Sequence, residues 1–166
     1  EDIAKQSEIL SDGALTARHS GYVTFIKDIK NGAVATTLEN VVVVSDYDGF
    51  HRSQITRDTT ISMMPVWMKG NAGLYYVNFK THRPKLYSKA FGGVERSVFP
   101  QLEQTYSPAV NPKTGELLFS STVDGKTDLY IGDPSTGRAK KFAYLKSNQT
   151  SPAWSPYASE VLFTSD

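Results

Sequence analysis

Few residues in this 166-residue chain are placed to do chemistry. The three histidines, His19, His51 and His82, stand 32 and 31 residues apart, and none sits in an H-x-x-H or H-E-x-x-H spacing that would converge on a metal. Asp46-x-Asp48-Gly49 opens like a calcium loop, but Ile55 stands where the closing Glu should be, so a hairpin turn is the better reading. Asp124-Gly125-Lys126-Thr127 ends like a phosphate-binding loop, yet it lacks the upstream glycine and the following helix. There is no G-x-S-x-G nucleophile elbow. The chain has no cysteine, which removes disulfides, thiolate zinc sites and a cysteine nucleophile. No carboxylate pair is singled out for acid–base work. No local motif thus announces catalysis, a cofactor or a metal site.

Charge narrows the partners. With 18 Lys+Arg against 17 Asp+Glu the net charge is +1, too little to hold nucleic acid or an anionic membrane without specific contacts. Apolar runs such as Val41–Val44 and the proline-interrupted Met63–Met68 fall far short of the ~20 residues of a membrane-spanning helix. Glu1-Asp2-Ile3-Ala4-Lys5 has no basic-then-apolar leader, so any signal peptide is expected to have been removed.

The elements that must position any site are short. Twelve Gly and eight Pro cut the chain into pieces rich in Val, Tyr, Phe and Thr, a composition of strands joined by tight turns. The pieces repeat. Pro65-Val66-Trp67, Pro108-Ala109-Val110 and Pro152-Ala153-Trp154 begin equivalent segments 43 and 44 residues apart. Leu86-Tyr87 returns as Leu129-Tyr130, 43 residues on, and the turns Asp48-Gly49, Gly92-Gly93 and Thr136-Gly137 keep a spacing of 44. A period of ~40–45 residues with four strands per unit is the mark of a β-propeller blade.

The reading is thus all-β: four-stranded antiparallel blades over residues 19–166, about three and a half of them at this period. Residues 1–18 read as a helical lead-in or the end of a preceding domain, with a short helix over Asp2–Leu10 stopped by Ser11-Asp12-Gly13. First strands are expected near Pro65–Trp67, Tyr106–Val110 and Pro152–Trp154. Second strands are expected near Tyr22–Ile26, Leu74–Phe79, Leu117–Thr122 and Val161–Thr164. Third strands fall near Val41–Ser45, Lys85–Lys89 and Asp128–Ile131, and fourth strands near Ser53–Thr56, Glu95–Val98 and Arg138–Phe142. Asn31-Gly32 and Asp124-Gly125 are expected to join second strands to third. Trp67 and Trp154 share a repeat position and read as blade-to-blade packing rather than a sugar platform. The sequence ends in mid-blade, so it is expected to be a piece of a longer protein or an open propeller, and exposed blade faces favour self-association. In a closed ring, carboxylates facing the propeller channel could hold a cation.

Ser151-Pro152-Ala153-Trp154-Ser155-Pro156 followed by Val161-Leu162-Phe163-Thr164-Ser165-Asp166 resembles the repeat of TolB-type propellers, and Val44-Ser45-Asp46-Tyr47-Asp48-Gly49 resembles the turn that opens their first blade. The resemblance covers about residues 20–166. It departs at Met68-Lys69, at Val110 and at Tyr157-Ala158, where the family has Ser-Pro, an aromatic and Asp-Gly.

The resemblance implies a six-bladed parent and a non-catalytic periplasmic scaffold of the Tol–Pal envelope system, with the peptidoglycan-associated lipoprotein and other Tol proteins as partners. It places the partner contacts on the connections that enter the first strands: Thr60, Ser62 and Met63; Gln104, Thr105 and Ser107; and Asn148, Gln149 and Thr150. Gln104 stands where the family often has His. Those connections are long and polar, as a binding rim would be; solvated loops capping strand ends are the plainer alternative. The rival function is the substrate-gating propeller of a prolyl-oligopeptidase or tricorn-type serine peptidase, whose nucleophile lies in another domain. A lyase or carbohydrate-binding propeller is disfavoured, because no His/Arg or carboxylate cluster recurs in each repeat.

Overall fold

The structure is a computed structural model that describes residues 41–46 and 53–166 in full and, before them, the backbone of the strands at 7–9, 15–17, 26–28 and 33–38. The chain divides into two compact units, Glu1–Pro65 and Val66–Asp166.

The first unit holds a hairpin of β1 (Ser7–Ile9) and β2 (Leu15–Ala17), and an antiparallel meander of β3 (Ile26–Asp28), β4 (Ala33–Leu38), β5 (Val41–Asp46) and β6 (Ser53–Gln54). The helix expected over Asp2–Leu10 falls mostly outside the described residues; its described part, Ser7–Ile9, is strand β1 instead. The expected second strand near Tyr22–Ile26 also lies largely outside them, but Ile26 belongs to β3, the first strand of its sheet. The second strand is β4, whose Ala-Val-Ala-Thr-Thr-Leu is too weakly apolar to announce itself by periodicity. Its register against β5, from Ala33↔Asp46 to Leu38↔Val41, identifies it. Asn31-Gly32 therefore joins first to second strand, not second to third. His19, His51 and the Tyr47–Phe50 part of the expected turn lie outside the described residues.

Strand β7 (Ser62–Trp67) runs from the first unit into the second and heads the meander completed by β8 (Gly73–Asn78), β9 (Lys85–Ala90) and β10 (Arg96–Ser97). The next meander is β11 (Gln104–Val110), β12 (Leu117–Val123), β13 (Lys126–Asp133) and β14 (Arg138–Lys141). A two-stranded sheet, β15 (Gln149–Trp154) and β16 (Val161–Ser165), follows. These are the expected blades. Asp124 and Gly125, at φ 50° and 78°, make the two-residue hairpin between β12 and β13, the backbone that a Asp-Gly pair favours.

Second strands carry the core. All six residues of β8 are buried, as are Leu117–Ser121 of β12. Near-continuous apolar runs such as Leu-Tyr-Tyr-Val and Leu-Leu-Phe suit strands sheltered on both faces. Between the two complete blades of the second unit, Phe99 is 1% exposed and stacks on Phe119, with ring centroids 4.5 Å apart at 14°. Gly132 makes room for it: a Cβ there would stand 2.6 Å from the Phe99 ring. Thr105, 1% exposed, ties β11 to β9 by accepting a hydrogen bond from the Leu86 N–H at 2.8 Å, while its own N–H donates to the Pro84 carbonyl at 2.9 Å. Trp67 makes one ring contact with Phe91 of its own blade, centroids 5.9 Å apart and edge-on. Among the described residues no helix is long and apolar enough to cross a membrane.

Asp128 is the buried charge of this unit. Its carboxylate, 5% exposed, meets Lys141 at 2.7 Å and Lys126 at 2.9 Å. Burial opposes ionisation, but the hydrogen bond from Lys141 and the charge of both ammonium groups outweigh it and hold the carboxyl below its usual range.

Three outcomes are expected. Phe99→Ala should lower unfolding free energy by about 3–5 kcal/mol by denaturant titration, whereas Phe142→Ala, at a ring 38% exposed, should cost much less. Thr105→Val keeps the volume but strands the Leu86 N–H, and should cost about 1–3 kcal/mol in the same assay. Asp128 has a lowered folded-state pKa, so its contribution is present above the unfolded value near ~3.9 and is lost as pH falls through the folded one. The stability gap between wild type and Asp128→Asn should therefore be widest near neutrality and close below about pH 4.

Candidate functional site

The three first strands share a local geometry that the expected partner-binding residues sit on. Met64, Ser107 and Ser151 have φ of 53°, 51° and 53°, and each precedes a buried proline, Pro65, Pro108 or Pro152. In β11 the register steps from Tyr106↔Ser120 to Ala109↔Leu118, so Ser107 and Pro108 together oppose Phe119. In β15 it steps from Thr150↔Thr164 to Ala153↔Leu162, so Ser151 and Pro152 oppose Phe163. These are β-bulges, and proline fits there because its missing N–H takes nothing from the ladder. The bulge shifts the phase of the strand. Buried positions fall three apart, at Ser62 and Pro65, Thr105 and Pro108, and Gln149 and Pro152, where a regular strand would alternate by two.

That geometry sorts the nine expected residues. The strands begin earlier than expected, so only Thr60 and Asn148 lie in connections; the other seven open the strands. Ser62, Thr105 and Gln149 are 0%, 1% and 0% exposed, which removes them from any surface and makes them interior polar anchors. Gln149 donates from Nε2 to the Ser147 carbonyl at 3.1 Å, while its Oε1 is buried without a partner. Met63, Gln104, Ser107 and Thr150 are half-buried. Thr150 pairs with Thr164 through hydroxyls 2.7 Å apart. Thr60 is held in a turn by Asp58, whose Oδ1 accepts from its N–H at 3.1 Å and its hydroxyl at 2.6 Å.

Asn148 is exposed but fixed. Its N–H and Nδ2 donate to the two carboxylate oxygens of Asp166, at 2.7 and 3.0 Å, and its Oδ1 accepts from the Thr127 N–H at 3.0 Å. Those bonds from the Asn148 side chain and backbone hold the Asp166 carboxyl below its usual range. Within the second unit, the Gln104–Ser107 and Asn148–Thr150 groups thus present polar tips on a backbone locked from beneath, an arrangement suited to recognition and carrying no nucleophile or base. Among the described residues no group of three or more His, Asp or Glu converges as a metal site. His82 lies in the exposed turn between β8 and β9. The Ser-Pro and Met-Pro dipeptides were the available signal for the bulges; the sequence reading used only the prolines.

Relatives agree with this architecture. A TolB homolog of Chlamydia muridarum is 30% identical over 89 residues, which are 52% of this chain and 21% of the relative. The chain thus spans about a fifth of that relative's length. The crystal structure of TolB from Acinetobacter baumannii matches with a TM-score of 0.66 at 21% identity, over 87% of this chain and 35% of that one. A puromycin-hydrolyzing peptidase of Mycobacterium tuberculosis matches with a TM-score of 0.65 at 14% identity, over 86% and 26%. At these identities the structural likeness is one of fold. The sequence profile described as the TolB beta propeller domain matches residues 13–166, and the chain belongs to that family.

Proposed function

We propose that the chain is part of a non-catalytic, periplasmic protein-binding scaffold of the Tol–Pal envelope system, and that it binds the peptidoglycan-associated lipoprotein through the residues at the starts of its first strands. The family match over residues 13–166 carries this reading. The geometry supports it: Gln104, Ser107, Asn148 and Thr150 offer polar contacts at little conformational cost, because buried Thr105 and Gln149 hold the backbone beneath them. Thr60 and Met63 are the matching contacts of the first unit. Ser62, Thr105 and Gln149 act from below, by positioning.

A second reading has one observation in its favour, the likeness to the Mycobacterium peptidase. In that case this segment would gate substrate, and a G-x-S-x-G elbow would stand in sequence contiguous with it.

The test is calorimetric titration of the full chain with the purified lipoprotein of the same organism. Gln104→Glu and Thr150→Glu are each expected to weaken binding about tenfold if they lie within the contact. Unchanged affinity in both variants would remove the site assignment, and no binding by the unaltered chain would remove the partner.

A further inference from the structure

A cleft of about 590 Å³ opens in the second unit, on the side of the turns that join first to second strands. That volume lies within the range of small-ligand sites. Its walls come from the β7–β8, β11–β12 and β13–β14 connections, and Tyr75 of β8 lies among its lining residues.

Tyr75 brings a hydroxyl to the cleft. The residue is 8% exposed, and its hydroxyl, which is not closed off from solvent, makes no hydrogen bond to another described residue. The hydroxyls of Tyr76 and Tyr106 are engaged within the protein: Tyr76 donates to Glu95, and Tyr106 bonds to Thr122 and Thr127. A hydroxyl unpaired within the protein and open to the cleft is free to bond a ligand, both as donor and as acceptor.

Two carboxylates line the same cleft, and both can accept further hydrogen bonds through their lone pairs. Asp133 accepts at Oδ1 from the N–H and hydroxyl of Ser135, at 2.9 and 2.7 Å, and Thr136 also bonds toward its carboxyl. Glu116 uses Oε2 to accept from the Thr114 hydroxyl at 2.9 Å, which leaves Oε1. The Ser135 bonds hold the Asp133 carboxyl below its usual range, while burial and then the Asp133 charge push the Tyr75 phenol above its own. At neutral pH a phenol that keeps its proton therefore stands near an ionised carboxylate, and the two do not bond to each other.

The ligand group that answers both is a hydroxyl. It can accept from Tyr75 and donate to Asp133 at once, and a neighbouring hydroxyl can donate to Glu116. An ammonium can only donate, which leaves the Tyr75 proton unanswered; an anion meets two negative charges. Met68, Pro134 and the stem of Lys69, whose ammonium donates to the Lys113 carbonyl, supply apolar wall for the C–H face of a ring. We propose that this cleft is a binding site for a neutral, hydroxyl-rich ligand of the saccharide class, one ring in size, read by Tyr75, Asp133 and Glu116. The site is separate from the starts of the first strands and does not depend on the partner proposed there.

The test is a ¹H–¹⁵N titration of the full chain, following the amides of Tyr75, Gly115 and Ser135. The probes are glucose, N-acetylglucosamine and butylammonium. Saturable shifts with at least one sugar and none with butylammonium are expected. Tyr75→Phe keeps the ring and removes the hydroxyl, so it should weaken sugar binding about tenfold while leaving the thermal midpoint unchanged or higher. Asp133→Asn should weaken it as well. Shifts with butylammonium alone, no shift with any probe, or a sugar affinity unaltered in Tyr75→Phe would each overturn the assignment.

Discussion

A four-stranded meander has two faces, and a blade with apolar residues on both cannot shelter them alone. Burial of one blade against the next is the constraint on which the second unit depends. The contact between its two complete blades centres on Phe99, which leaves its own blade just past β10 to stack on Phe119 and lie over Gly132. A glycine in mid-strand forfeits side-chain packing, but here its missing Cβ is what the phenylalanine ring occupies. Beside this stack Thr105 meets the Leu86 N–H, which no fourth strand reaches. In the first unit, Thr56 does the same for the Val42 N–H at 2.9 Å. A hydroxyl supplied from further along the chain thus closes the ladder where a short outer strand runs out.

The repeated bulge is a second constraint, and it connects packing to recognition. A non-glycine residue at positive φ is strained by on the order of 1–3 kcal/mol, and such strain persists only where the surroundings impose it. It appears at the same repeat position three times, each time before a buried proline. By shifting the strand's phase, it turns Ser62, Thr105 and Gln149 inward and leaves their neighbours at the surface. Polar residues that look alike in sequence are therefore divided into internal anchors and available contacts. The Tyr75 cleft arises differently: it lies where three connections meet, and no repeat position predicts it. In the repeat register Leu118 stands where Tyr75 does, so the polar tip of Tyr75 is peculiar to one blade.

Much of the fold was legible in the residues. The spacing of Pro65, Pro108 and Pro152, the Leu-Tyr pairs and the glycine turns fixes the period, because each marks a backbone requirement that must recur with every blade. Asp124-Gly125 forms the tight hairpin its chemistry demands. Reading failed where local signals were weak. β4 is rich in Ala and Thr, so its strand shows only through its register with β5, and the strand expected at Tyr22–Ile26 was set one position too late in the blade. The candidate contacts were placed in loops because an alternating pattern cannot reveal a bulge that resets its own phase.

By itself the sequence determined the repeat, the all-β class, the family and the absence of a local catalytic motif, since these rest on short-range patterns of turn residues and apolar spacing. Tertiary structure alone decided which polar residues are buried, that Trp67 packs within its own blade on Phe91, and that Tyr75, Asp133 and Glu116 line one cleft. Those outcomes depend on contacts between residues far apart in sequence, 24 positions for Trp67 and Phe91 within one blade and 58 for Tyr75 and Asp133 across two, which local pattern does not encode.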